Sequence, residues 1–339
     1  MTTNFLGFFK PLDAWTWARE QDLVSNDHYL LGFLDDDAAA HDLSMGADLI
    51  RSLAGGDPWL LMEHSTSAVN WQPRNLAKAP GQMRRNSLTH LARGADGVMF
   101  FQWRASGAGA EKFHSGMVPH AGTGTRRWDE VVALGHDLES IAEVSGTRVQ
   151  ADVAILFDWH SWWGVELNSH PSGDVDQMTD VRAWHRSLWE RGVTCDFAHP
   201  ESDLSSYRLV LVPRLYLASD ASSANLRSFV QAGGHVVVGW FSGIVDQDDH
   251  IRLGGYPGAF RDLLGVRVEE FAPLRRGESV GVEGLSVAAT GTMWTERGAV
   301  TDAQVRARYL DGPAAGDPVV TRRGAGAGVA GDRGAGLAP

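Results

Sequence analysis

Over residues 1–145 short apolar stretches alternate with amphipathic ones, and this alternation limits the fold more than any other feature. Thr2–Leu6 reads as a strand and Leu12–Gln21 as a helix with Asp13 in its first turn. Asp22–Leu31 is a second strand that ends in the polar run Asn26-Asp27-His28-Tyr29. Ala39–Leu53 follows as a helix stopped by Gly55-Gly56, and Pro58–Met62 as a buried strand running into Glu63-His64-Ser65. Pro80–Arg93 is a helix with Gly94 as its C-cap, Gly97–Trp103 a fourth strand and Trp128–Glu143 a closing helix. Strands that alternate with helices in this way run parallel, because each crossover helix returns the chain to the same end of the sheet.

Residues 150–265 repeat the rhythm as an open three-layer α/β domain. Its strands are Val153–Phe157, Arg208–Val212 and His235–Trp240, and its helices Val181–Arg191 and Ala221–Ala232. Residues 266–320 alternate more weakly and read as a strand-rich addition. From Thr321 to Pro339 the chain is Gly-Ala-rich, has no means of burying a core and is expected to be disordered.

Composition removes several classes of function. Thirty Lys and Arg against 42 Asp and Glu give a net charge of −12, a field that repels a phosphate backbone, so no nucleic-acid partner is expected. No apolar run reaches the roughly 18 residues of a membrane span. No charged-then-apolar leader follows Met1, so a cytoplasmic location is expected. The single Cys195 excludes an internal disulfide or a Cys-based zinc site. The 13 Trp against 5 Tyr point elsewhere, because an indole presents a flat apolar face that stacks on sugar rings.

The chemistry concentrates after the third strand. Glu63 directly follows Trp59-Leu60-Leu61-Met62, and a carboxylate in that position needs hydrogen bonds or a task. A helix cap or a loop salt bridge would also account for it. The polar loop His64-Ser65-Thr66-Ser67-Ala68-Val69-Asn70-Trp71-Gln72 comes next. The fourth strand ends Phe100-Phe101-Gln102-Trp103-Arg104, with Glu111 and His114 in the loop beyond. Carboxylates, a His, an amide and aromatic faces on one rim suit a pyranose. Glu111 and His114 also have the Glu-x-x-His spacing of a metal pair, but the surrounding Gly and Ala argue against a stiff helix and no further ligand is evident. No metal or cofactor is expected.

The segments Thr2-Thr-Asn-Phe-Leu-Gly-Phe-Phe, Asp22-Leu-Val-Ser-Asn-Asp-His-Tyr, Leu61-Met-Glu-His-Ser-Thr-Ser-Ala-Val-Asn-Trp-Gln and Gly94-Ala-Asp-Gly-Val-Met-Phe-Phe-Gln-Trp-Arg resemble the family 42 glycoside hydrolases. The likeness covers roughly residues 1–320. It implies a retaining β-galactosidase, with residues 1–145 as the last four β/α units of a TIM (β/α)8 barrel. It further implies that 150–265 is a trimerisation domain and 266–320 the start of a small β domain. By resemblance Glu63 is the nucleophile, and Trp71, Phe101, Glu111 and His114 bind galactose, with Tyr29 a weaker match. A homotrimer acting on a β-galactoside follows from the same likeness. The family's acid/base Glu follows an Asn on an upstream strand. This chain has no Asn-Glu dipeptide, so an incomplete chain lacking that group is expected. The alternatives are a non-catalytic galactoside-binding or scaffold protein, and an amidotransferase-like module in 150–265. The latter needs an elbow cysteine, which Cys195 in Gly192-Val-Thr-Cys-Asp does not supply.

Overall fold

A computed structural model describes the backbone of residues 1–325, 328–333 and 337–338, and side chains as far as Gly324. It comprises two compact units, Met1–Gln150 and Ala151–Pro339.

The first unit holds a four-stranded sheet of β1 (Asn4–Phe5), β2 (Ser25–Asp27), β3 (Trp59–Glu63) and β4 (Ala95–Val98), in that order. Every neighbouring pair is parallel, as the alternation requires. Four helices accompany the strands: α1 (Ala14–Ala18), α2 (Asp36–Leu53), α3 (Gln82–Ala92) and α4 (Arg126–Ser140). Helix α2 begins three residues earlier than its apolar period indicates. Asp35 caps it by accepting from Ala38 N at 2.8 Å, and Asp36 and Asp37 face the positive end of the helix dipole. Trp59 and Leu61 of β3 are fully buried, as are Leu43, Met45, Leu49 and Ile50 of α2. Strands β2 and β4 are shorter than their apolar stretches, because the chain leaves the ladder where its polar and aromatic residues begin. The N–H of Met99 still bonds Leu61 O at 2.8 Å, and that of Phe101 bonds His64 O at 3.1 Å.

The second unit is built on four parallel strands, β5 (Val153–Leu156), β6 (Cys195–Ala198), β7 (Leu209–Val212) and β8 (His235–Gly239). Helices α5 (Trp159–Val165), α6 (Gln177–Trp189), α7 (Asp220–Gln231) and α8 (Arg261–Leu264) belong to the same unit. Val210, Val212, Val236 and Val238 alternate into a core shared with Leu226, Phe229 and Phe260.

The boundary expected at residue 265 does not interrupt this unit. Strands β9 (Val266–Pro273) and β12 (Trp294–Val300) pair with each other. Strands β10 (Val280–Glu283), β11 (Ala289–Gly291), β13 (Gln304–Tyr309), β14 (Pro318–Ala325), β15 (Gly328–Arg333) and β16 (Leu337–Ala338) extend the sheet of β5–β8, with β15 lying parallel to β8. The expected disorder from Thr321 is therefore corrected where β14 and β15 run. Gly-Ala backbone can add to an existing sheet edge without a core of its own, and Val319 and Thr321 anchor β14 by burial. The same correction holds for β16, which pairs with β11, and residues 326–327, 334–336 and 339 lie outside the described residues.

Candidate active site

Glu63 is the last residue of β3, so its side chain emerges at the C-terminal edge of the parallel sheet. Burial of Trp59 and Leu61 fixes the strand, and the period of two leaves Glu63 half-buried at the rim. Its Oε2 accepts from the Tyr29 hydroxyl at 2.7 Å. Among the described residues no basic side chain pairs with it, and it caps no helix, so the two bland explanations of its position fall away.

Tyr29 lies just past the end of β2 and organises the aromatic groups. Its ring meets Trp71 edge-on at 5.7 Å and His114 at 6.0 Å, while Phe101 meets His114 at 4.9 Å. Burial, and next the bond to Glu63, hold the phenol well above its usual pKa, so it stays a donor through the neutral range. Trp71 is 55% exposed, leaving an indole available for stacking. His114 is 3% exposed and its Nδ1 lies 2.9 Å from Ser115 O. That carbonyl can only accept, so Nδ1 carries a proton, and the buried Nε2 has no partner among the described residues. Glu111 sits three residues before His114 on a short 3₁₀ turn, Ala110–Phe113, and is exposed. Its charge also raises the Tyr29 pKa. Asn70 holds this turn by donating to Ala110 O at 3.0 Å. Trp103, expected on the same rim, instead meets Trp128 of α4.

Asp27 adds a second carboxyl beside Glu63. Asn4 Nδ2 donates to both of its oxygens at 2.9 Å. Burial pushes its pKa up to about 6, against the lowering effect of Asn4 and with the Glu63 charge helping. Gln72 secures the loop after Tyr29, accepting from Gly32 N at 2.6 Å and donating to Leu30 O at 2.7 Å.

Residues 1–141 match the profile described as beta-galactosidase, and residues 151–331 match the beta-galactosidase trimerisation domain, both of glycoside hydrolase family 42. The chain belongs to family 42. The family 42 assignment extends to individual relatives. A beta-galactosidase of Arthrobacter sp is 51% identical over 332 residues, which is 97% of this chain and 47% of that protein. Beta-galactosidase LacZ of Heyndrickxia coagulans is 43% identical, over 97% of this chain and 49% of that protein. The crystal structure of the beta-galactosidase from Bacillus circulans sp. alkalophilus superimposes with a TM-score of 0.94 at 34% identity, over 99% of this chain and 50% of that one. This family 42 chain thus spans about half the length of the relatives it matches. Among its described residues no helix is long and apolar enough to cross a membrane.

Reading the sequence missed Asn4, Asp27 and Lys78. The polar end of the second strand was a signal for Asp27, because polar residues at the C-terminal ends of parallel strands face the site, whereas Asn4 begins β1 and has none. Lys78, between Ala77 and Ala79, carries no such signal and looks like a solvated linker residue.

Proposed function

We propose that this chain carries the nucleophile half of a retaining β-galactosidase active site. The observation that carries the reading is the Glu63 carboxylate at a C-terminal strand end, held by the Tyr29 hydroxyl at 2.7 Å beside Trp71 and His114. A carboxylate oxygen of Glu63 attacks the anomeric carbon, the bond to the leaving oxygen breaks, and a galactosyl ester forms that water later hydrolyses. Trp71 and Phe101 supply apolar faces to the ring. Glu111 and the His114 Nε2 accept from sugar hydroxyls, and Tyr29 orients the attacking carboxylate. No residue of this chain is assigned as the acid/base. The partner carboxyl of a retaining enzyme stands about 5–5.5 Å from the nucleophile.

The same proposal takes the four parallel strands as the second half of an eight-stranded barrel, and residues 151–331 as the surface of a homotrimer. It also places the protein in the cytoplasm, where a single cysteine stays a thiol.

The test uses a dinitrophenyl galactoside, whose leaving group departs without a proton. Mass spectrometry of the folded chain is expected to find a persistent galactosyl adduct on the peptide containing Glu63. A chain that is folded by circular dichroism yet forms no adduct, or forms it elsewhere, overturns the reading. Ordinary lactose hydrolysis would instead give the acid role to Glu111.

A further inference from the structure

We propose that Lys78 and His64 are positioning residues for Glu63, acting through one buried hydrogen-bonded chain that ties the loop after β3 to the end of β2. The inference rests on the reading of Glu63 as nucleophile.

Lys78 is buried, and its Nζ donates to the Ser65 carbonyl and lies 3.2 Å from His64 Nε2. His64 is fully buried, with Nδ1 at 3.0 Å from His28 O. A carbonyl only accepts, so the His64 proton sits on Nδ1 and Nε2 receives the N–H of Lys78. The His28 N–H donates to Glu63 O at 2.9 Å, which closes the chain back onto the carboxylate's own residue. Tyr29, the donor to the Glu63 side chain, is the next residue after His28. His64 O receives the Phe101 N–H at 3.1 Å, so the same residue also sets the aromatic wall. Residue 64 therefore ties the nucleophile, its hydrogen-bond donor and this wall together, its ring holding the His28 backbone beside Tyr29 and its carbonyl holding the Phe101 backbone of the proposed sugar site.

Arg127 of α4 completes the restraint by donating to Thr66 O and Ser67 Oγ, each at 2.7 Å, and Lys78 N donates to the same Ser67 Oγ at 3.2 Å. Holding a lysine here is costly. Burial, and then the Arg127 charge, depress its pKa to about 7, while burial and Lys78 hold His64 well below its usual range. His90 of α3 and His28 are the other titratable groups facing this cluster, and they lower the His64 pKa further. A neutral His64 with a fixed tautomer is what the chain requires.

NMR of the imidazole nitrogens in the histidine-labelled chain tests this, with His64→Gln identifying the resonance. The expected result is a His64 locked as the Nδ1–H tautomer that stays neutral through the neutral range. Lys78→Met keeps the proton on Nδ1, where the His28 carbonyl holds it, but should shift the Nε2 resonance to that of a nitrogen without a donor and slow galactosylation of Glu63 by the dinitrophenyl galactoside about tenfold. An Nε2–H or mixed tautomer in the unaltered chain overturns the proposal and needs no variant. So does a Lys78→Met chain that labels at the unaltered rate. A locked His64 in a chain that never labels overturns the nucleophile reading instead, so the two failures are told apart.

Discussion

Tyr29 and Glu63 join the C-terminal ends of two neighbouring parallel strands through a single bond from Tyr29 Oη to Glu63 Oε2. A hydrogen bond to a charged acceptor is typically worth about 1.5–3 kcal/mol. Tyr29→Phe should therefore slow galactosylation of Glu63 by about 10- to 100-fold, with little change in the unfolding midpoint. The rate of adduct formation by mass spectrometry checks it. An unchanged rate removes Tyr29 from the site.

Trp71 offers an indole face to the rim and carries little of the core, being 55% exposed. Trp71→Ala should weaken galactose binding by roughly fivefold, in line with the ~1 kcal/mol of an aromatic contact. Thermal stability should stay as it was. Calorimetric titration with galactose is the measurement, and equal affinity in the variant would refute the stacking role.

Glu296 of β12 is buried, with Trp294 Nε1 donating to it at 3.2 Å. Burial raises its pKa from 4.5 to about 7, outweighing that bond. Because the folded value lies above the unfolded one, the protonated carboxyl's stabilising contribution is complete below about pH 4.5 and is lost as the pH rises through about 7. The second unit of the unaltered chain should lose up to about 3 kcal/mol across that window relative to Glu296→Gln. Denaturant midpoints of both chains at several pH values test this. Parallel curves would place the Glu296 carboxyl in a less costly setting.

Val319 lies in β14 and is buried with Val280, Ala307, Tyr309 and Ala314. Val319→Ala removes two methyl groups from that cluster and should cost about 2 kcal/mol. Chemical unfolding of the two chains decides whether β14 takes part in the fold, since a surface or unstructured valine would cost almost nothing.

Much of the first unit is legible because its two signals agree. In Trp59-Leu60-Leu61-Met62-Glu63 the apolar run marks a strand and the terminal charge marks its functional end. Helix α3 is read from its period and from Gly94, whose positive φ of 95° suits a glycine. Other elements escape for stated reasons. Cys195–Ala198 forms β6, yet Cys-Asp-Phe-Ala shows no long apolar run, although Gly192 marks the turn before it. Strand β14 enters a Gly-Ala stretch whose composition alone signals disorder, while its pairing partners lie elsewhere in the chain. In the site, Tyr29 and His114 are 85 positions apart, so their ring contact depends on the crossover geometry and not on any local pattern. Lys78 escapes because its burial is imposed by His64 and Ser65, whose positions follow only once β3 is placed.

The parallel pairing of β15 with β8 imposes a sequence of events on synthesis. Strand β8, with Val236, Val237 and Val238, follows β7 out of the ribosome but precedes β15, its neighbour on the other side, by about 90 residues, from Gly239 to Gly328. Until β15 arrives, one side of that valine-rich ribbon has unanswered N–H and C=O groups, and a pairing so distant along the chain closes slowly. The interval is when a nascent chain is most open to pairing with another copy of itself, so holding that edge is a task for chaperones before it is one for the native sheet.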